Sequence, residues 1–318
     1  MEKILDELKG AKSIGISGHI RPDGDCVGSC MAMYMYLKNA LPKETEIDII
    51  LEPIPEDLKK IACTDMIRQY PRRKKYDVFI ALDVNAERLG ESAAAFKKAG
   101  KTINIDHHIS NAGDGDVNYV FPEASSASEL AYELMDKKYV DVEIAKSLYI
   151  GIIHDTGVMQ YSNTHPSTLR VLAELLEYGF DFPKLIDETF YEKTYTQNQI
   201  LGRALTESIL FLDGKCIVAG IGNKTMKFYG IGAKDVDGIV NQLRITKGVE
   251  VAIFTYEYEA STWKVSLRSN GLVDVSKVCE FFGGGGHVRA AGAVLHGTYH
   301  DVINNLSERI ALQLGMTQ

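Results

Sequence analysis

No apolar run in these 318 residues approaches the ~20 needed to cross a bilayer as a helix. The opening stretch, MEKILDELKG, mixes acidic and basic side chains and has no signal-peptide core, so neither a leader nor a membrane partner is expected. Cysteine is sparse and scattered: Cys26, Cys30, Cys63, Cys216 and Cys279 make no Cys-x-x-Cys pair and no even framework. Cys26 and Cys30 stand one helical turn apart, as on a buried helix face. A reducing cytoplasm is the expected compartment. Basic charge is also short, with 35 Lys and Arg against 43 Asp and Glu and a net charge of −8. Wrapping long nucleic acid takes a broad basic footprint, so no such partner is expected. The one basic run, Arg72-Arg73-Lys74-Lys75, precedes an expected strand and reads as a solvated turn. Internal repeats and low-complexity segments are missing too.

What is present is an ordinary globular composition, 45% hydrophobic and 25% charged, arranged in alternation. Apolar, β-rich runs at 13–17, 46–51, 76–83 and 102–106 are separated by helical patterns at 26–41 and 87–98. Such alternation predicts an α/β domain with a mostly parallel sheet flanked by helices. Helices then dominate at 126–138, 142–153, 166–178 and 195–208. The polar segment DETFYEKTYTQNQ (187–199) has no Pro or Gly and reads as part of a helical connector, residues 187–208, between a first domain (1–186) and a second (209–318). The second reads as a smaller α+β domain: a hairpin around Asp213-Gly214, helix 235–244, strands 249–258 and 263–269, helix 275–282, strand 293–296 and helix 300–314.

Polar residues gather where these strands end. SGHIRPDGDCVGS, from Ser17 to Ser29, follows the first strand with one histidine and two aspartates. Pro22-Asp23-Gly24 is a good turn sequence in its own right. His-x3-Asp-x-Asp is equally three metal donors in one loop. Asp83 closes the strand at 76–83, either as a helix N-cap or as a ligand. Asp106-His107-His108 closes the strand at 102–106. Asp155, in GIIHDTG, ends an apolar helical stretch where an ionised side chain needs a partner, and His154 beside it reads as a hydrogen-bonded core histidine. Ligands of open parallel sheets bind beyond the carboxyl ends of the strands, so these termini are expected to converge on one site.

In order and spacing, HIRPDGD, the strand-terminal Asp83, IDHH at 105–108 and GIIHDTG at 151–157 resemble the four motifs of the DHH phosphoesterase family. FFGGGGHVRAAGA, Phe281 to Ala293, resembles the signature of the family's DHH-associated C-terminal domain, with VSLRS at 265–269 as its companion. The resemblance covers most of the chain and is closest to the stand-alone oligoribonuclease and 3'-phosphoadenosine-5'-phosphate phosphatase subgroup. EASSASEL at 123–130 departs from the Ser-Thr expected there, which leaves the local helix cap open.

The resemblance implies two divalent metals, with manganese expected. His19 and Asp23 would hold one, Asp25 and His107 the other, and Asp83 and Asp155 would be shared. Mixed carboxylate–imidazole sets suit manganese or iron better than calcium, and a metal pair activates water and clamps phosphoryl oxygens. Asp106 would steer an imidazole and His108 would act at the reacting centre. Four carboxylates offset two dications, so an arriving phosphate ester needs further positive charge. His108, Arg268, His287 and Arg289 can supply it, and Gly284, Gly285 and Gly286 would let backbone N–H groups approach a phosphate; a flexible linker is the plain alternative for the glycines. The implied site is split between the two domains. Without a basic stripe interleaved with aromatics, the expected substrates are short: oligoribonucleotides of a few residues, 3'-phosphoadenosine 5'-phosphate, or dinucleotides. Cyclic-dinucleotide phosphodiesterase and manganese-dependent pyrophosphatase are the alternative enzymes. A non-catalytic nucleotide-binding module is the alternative from another class, and a homodimer is left open.

Overall fold

A computed structural model describes residues 3–316. The chain divides into two compact units, Met1–Glu192 and Lys193–Gln318. Among the described residues no helix is long and apolar enough to cross a membrane.

The first unit contains α1 (Ile4–Glu7), β1 (Ser13–Ser17), α2 (Gly24–Ala40), β2 (Glu46–Ile50), β3 (Val78–Leu82), α3 (Ala93–Lys98), β4 (Lys101–Asp106), β5 (Val117–Val120), α4 (Ala127–Leu134), α5 (Val142–Asp155), α6 (Pro166–Leu176) and α7 (Phe182–Ile186). Its sheet has the order β2-β1-β3-β4-β5 with every pairing parallel. SIGIS and VFIAL are buried on both faces, as inner strands of a covered parallel sheet must be. Ile14, Ile16, Ile80 and Ile103 face the core shared with α2, α4 and α5. Phe79 and Ala81, one residue out of phase, pack with Phe96 of α3 on the other side.

Helix α2 is buried from Gly24 to Leu37, which explains why its sequence lacks a clean polar stripe. It lies tight against α5 because both helices present glycine. A Cβ on Gly28 would stand 2.7 Å from the Ser147 carbonyl oxygen and 2.9 Å from the Gly151 Cα. The strand order reverses between β1 and β3, and the crevice of such a sheet opens at that switch point, beyond the strand carboxyl ends.

Several elements depart from the sequence reading. The helix expected at 87–98 is two 3-10 turns, Ala86–Arg88 and Gly90–Ser92, followed by α3, so Asp83 caps no helix. Strand β5 carries little apolar signal and was not expected. In place of a continuous helical connector there is a π-helical turn, Asp187–Tyr191, and then a fresh start for α8 (Tyr195–Thr206) at the Thr194 and Gln197 capping box. Ile200 and Ala204 of α8 are buried in the second unit's core.

The second unit continues with β6 (Ile209–Phe211), β7 (Cys216–Ile221), α9 (Asn223–Tyr229), α10 (Ile239–Arg244), β8 (Val251–Glu259), β9 (Thr262–Ser269), α11 (Val275–Phe281), β10 (Gly285–His287), β11 (Ala290–His296) and α12 (Tyr299–Leu314). Its sheet runs β10-β11-β9-β8-β7-β6, antiparallel except for β7 with β8. One face, with Ile253, Val265, Leu267 and Ala293, packs on α11 and α12. On the other, α8, α9 and α10 cover Ala252 and Phe254, while Lys264, Ser266 and Arg268 of β9 and Ala290, Gly292 and Val294 of β11 remain half-buried or exposed. The helix expected at 235–244 breaks at Gly238, whose φ is 79°. The Gly283–Gly286 run ends in an edge strand. A Cβ on Gly284 or Gly286 would meet the carbonyl oxygens of Gly292 at 2.3 Å or Ala290 at 2.5 Å, so close strand approach itself demands glycine there.

Candidate active site

Three of the polar devices sit at the ends of neighbouring strands, His19 after β1, Asp83 after β3 and His107-His108 after β4. Asp25 enters from the first turn of α2 and Asp155 from the last residue of α5. Asp23 is the N-cap of α2, its Oδ1 accepting from the N–H groups of Asp25 and Cys26, while His19 Nε2 stands 3.5 Å away.

Asp83 is the centre. It is 2% exposed and holds a left-handed φ of 56°, a conformation that aspartate tolerates better than most residues and that tends to mark functional positions. Its Oδ2 lies 3.4 Å from His19 Nε2. Its Oδ1 lies 3.6 Å from His107 Nε2 and 3.5 Å from His108 Nδ1. His107 Nε2 is in turn 3.5 Å from Asp155 Oδ2. These gaps are too long for charge-assisted hydrogen bonds, which close to ~2.7–2.9 Å, and Asp83 Oδ1 and His107 Nε2 are buried without a hydrogen-bond partner. Two donors each ~2.1 Å from one ion stand ~3–3.5 Å apart. The donor set and its orphaned atoms therefore fit divalent metal ions, with Asp25, His107 and Asp155 as one triplet and His19 beside Asp83 as another centre.

The protonation pattern agrees. Burial opposes a charge on His107, yet Asp83, Asp25 and Asp155 push its pKa up to about 10. Burial likewise opposes a charge on His19, and Asp23 and Asp83 outweigh it and raise its pKa strongly. Burial pushes the Asp155 carboxyl up to about 6, with His107 pulling the other way and Asp83 adding to the rise. Asp25 is raised well above the usual range by burial and then by Asp83 and Asp155. Crowded carboxylates thus recruit protons in a place where cations would serve better.

Asp106 does a different job. Its Oδ1 accepts from the N–H groups of His107 and His108 and from His108 Nδ1 at 2.7 Å, and its other oxygen accepts from Asn111. Both oxygens are thus engaged, which suits a positioning role better than ligation. Burial would raise this carboxyl, but the bonds from His108 and Asn111 hold it below its ordinary value. The same bond raises the His108 pKa, leaving a half-exposed imidazole with one nitrogen tied down. Asn163, another residue the sequence reading missed, donates to Asp155 Oδ2 and to the Ser125 carbonyl. Neither asparagine carries a signal beyond lying a few residues from a motif. The departure in EASSASEL is resolved: Ser126 caps α4, accepting from the Glu129 N–H, and the N–H groups of Ala127 and Ser128 point at the Asp25 carboxylate. His154 packs on Gly24 and edge-on to Phe190; it is hydrogen-bonded to the Thr189 backbone, as a core histidine is expected to be, while its Nε2 has no partner.

In the second unit, pairing sets Arg268 opposite Ala290 and His287 opposite Ala290, so the arginine and the histidine share one row of one sheet face. The Arg268 guanidinium donates to Asn241 Oδ1 at 3.1 Å and to the Leu267 carbonyl at 3.0 Å. Arg289 is outside that row, its guanidinium lying over Gly271. Of the glycines, Gly285 has open space at its Cβ position.

A parallel α/β sheet with an aspartate–histidine cluster beyond its strand ends, built to take divalent metal, places the protein among the hydrolases of phosphate esters. Residues 13–152 match the DHH family, N-terminal domain, and residues 213–315 match the DHHA1 domain. The chain belongs to the DHH family of phosphoesterases. It is 33% identical over 306 residues to the bifunctional oligoribonuclease and PAP phosphatase NrnA of Thermus thermophilus, covering 93% of this chain and 89% of that one. The protein of the same name from Bacillus subtilis is 28% identical over 286 residues, covering 87% and 88%. An exopolyphosphatase-related protein from Bacteroides fragilis superposes with a TM-score of 0.87 at 25% identity over 98% of this chain and 96% of that one.

Proposed function

We propose that the chain hydrolyses short oligoribonucleotides and 3'-phosphoadenosine 5'-phosphate to mononucleotides, in the reducing compartment that suits its free cysteines. The observation that carries this is Asp83, a buried carboxylate whose two oxygens face His19 on one side and His107 with His108 on the other. His19 and Asp23 would hold one ion and Asp25 and His107 the other, with Asp83 and Asp155 shared between them; manganese is the metal proposed. When bound, such a pair supplies Lewis-acid polarisation of the phosphoryl oxygens and a nucleophilic water at neutral pH.

The chain's own groups do the rest. Asp106 ties down His108 Nδ1 and leaves its other nitrogen to donate toward a phosphoryl oxygen. Arg268 and His287 take a substrate phosphate, with the Gly285 backbone beside them. The Thermus and Bacillus relatives, named for oligoribonuclease and PAP phosphatase activity, support the substrate class. So does an acidic chain with no basic stripe, which suits ligands too short to need a track.

The test is product release, with manganese, from di- to pentaribonucleotides, 3'-phosphoadenosine 5'-phosphate, pyrophosphate and cyclic dinucleotides, run side by side. Fast turnover of the first two and a steep fall for long strands is the expected result. A preference for pyrophosphate or for cyclic dinucleotides, or equal efficiency on a long single strand, overturns the reading.

A further inference from the structure

The second unit holds a groove that nothing above uses. Its volume is about 590 Å³, within the range of ~300–1,000 Å³ typical of sites for small ligands. Met226, Tyr256, Tyr258 and Val294 form its apolar surface, and Lys227 and Lys264 stand at it. Among the described residues neither lysine forms a salt bridge, and both are exposed. Tyr258 is 44% exposed, so its ring face is available for stacking. Glu257 is the one acid in the lining, and its carboxylate is occupied. The backbone N–H groups of Asn223 and Ser261 donate to it at 3.0 Å each and, with Asn223 first, hold its pKa low.

Strand pairing fixes where this groove lies. Across the sheet, Ala252, Arg268, Ala290 and His287 form one row. Phe254, Ser266, Gly292 and Gly285 form the next, and Tyr256, Lys264 and Val294 the one after. Residues four apart on a strand share a face and stand ~13 Å apart. Arg268 and the groove therefore lie on one face, joined by a strip of serine and glycine with no bulk to obstruct a backbone. Neither the base whose own phosphate sits on Arg268 nor its immediate neighbour fills the groove at that distance, whereas the base of the nucleotide after next reaches it.

We infer that the Tyr256–Tyr258–Lys264 groove is a base-stacking site for a nucleotide beyond the one whose phosphate Arg268 takes, and that it favours oligoribonucleotides of three to five residues over dinucleotides. This rests on the substrate reading above. Aromatic faces accept any base, and flanking lysines meet the phosphodiester charge, so the site reads length and not sequence.

The test uses the intact chain with Tyr258→Ala and Lys264→Ala, both at exposed side chains. Stacking losses of this kind correspond to about fivefold to a hundredfold. Tyr258→Ala is expected to lose that much kcat/KM on tetra- and pentaribonucleotides, mainly through KM, and Lys264→Ala to lose less, as an exposed charge contact does; both stay within about twofold of the parent on a diribonucleotide and on 3'-phosphoadenosine 5'-phosphate. Unchanged pentanucleotide turnover, or an equal loss on the dinucleotide, overturns the inference. A Tyr258→Trp chain supplies a readout without turnover, since pentaribonucleotide stacked in the groove quenches the new fluorophore and a dinucleotide does not. Absence of quenching also overturns the inference. Quenching by the pentanucleotide in a chain that hydrolyses no ribonucleotide removes the proposed function and leaves the groove site standing.

Discussion

Replacing Asp83 by asparagine removes one charge and almost no volume. Asparagine also tolerates the left-handed φ of 56° at this position, so the backbone of the β3 terminus is expected to hold. What is lost is the single carboxylate that faces His19 at 3.4 Å and His107 at 3.6 Å. Removing one partner from a buried charge pair costs about 3–5 kcal/mol, and tenfold is 1.36 kcal/mol, so metal affinity and kcat/KM should fall by about two to four decades. Melting curves separate this from misfolding. For the parent, metal at a hundredfold excess over Kd adds about 2.7 kcal/mol, or roughly 5–10 °C of Tm for a unit of this size. The metal-free Asp83→Asn chain should still melt cooperatively, and the metal-induced rise should vanish at the same metal concentration. An Asp83→Asn protein that binds two metals per chain and turns over within tenfold of the parent would refute the central placement of this carboxylate.

Gly151→Ala should act at a distance along the same chain of contacts. Its Cβ would fall 1.9 Å from Ser128 Oγ and 2.9 Å from Asp25 Oδ1, so overpacking of about 1–3 kcal/mol should come with reduced metal content; a stable, fully metallated variant contradicts this. Arg268→Ala should leave metal content unchanged and lower kcat/KM on phosphate-bearing substrates about ten- to a hundredfold, while barely slowing the minimal ester bis-p-nitrophenyl phosphate; equal losses on both would place the arginine in the reacting centre. Metal binding should release protons. The pKa values of His19 and of His107, the latter at about 10, are raised in the metal-free protein, so both imidazoles are protonated at pH 7 and must deprotonate to ligate. Apparent metal affinity should therefore rise with pH through the neutral range, and calorimetric heats at pH 7 should depend on the buffer's ionisation enthalpy; heats that do not vary with buffer would contradict the protonation pattern.

Much of the candidate site was legible in the sequence because its parts are short contiguous segments at strand ends. A run such as VFIAL, set in an alternation of strand and helix, reads as an inner strand, and the polar residue that follows it is expected at the strand's carboxyl end. Asp83, His107 and the His19–Asp25 loop could thus be placed from local pattern alone, as could the apolar strands that carry them. What the sequence could not supply were relations between segments far apart in the chain. That Asp106 is saturated and Asp155 is steadied by Asn163 depends on loops whose residues carry no periodic signal. Gly151 reads as an ordinary helical glycine until α5 is laid against α2 and the Asp25 carboxylate. The same holds in the second unit. GGGGH looks like a flexible or anion-binding loop in one dimension, and only pairing with β11 shows that Gly284 and Gly286 are there because another backbone leaves no room for a Cβ. Arg268 and Arg289 likewise look equivalent on paper, yet strand register puts one in the row with His287 and the other over Gly271. Hydrophobic periodicity and turn chemistry act over a few residues and determined the elements; register, helix-to-helix distance and hydrogen-bond saturation are set by packing across a hundred residues, and those only the tertiary structure decided.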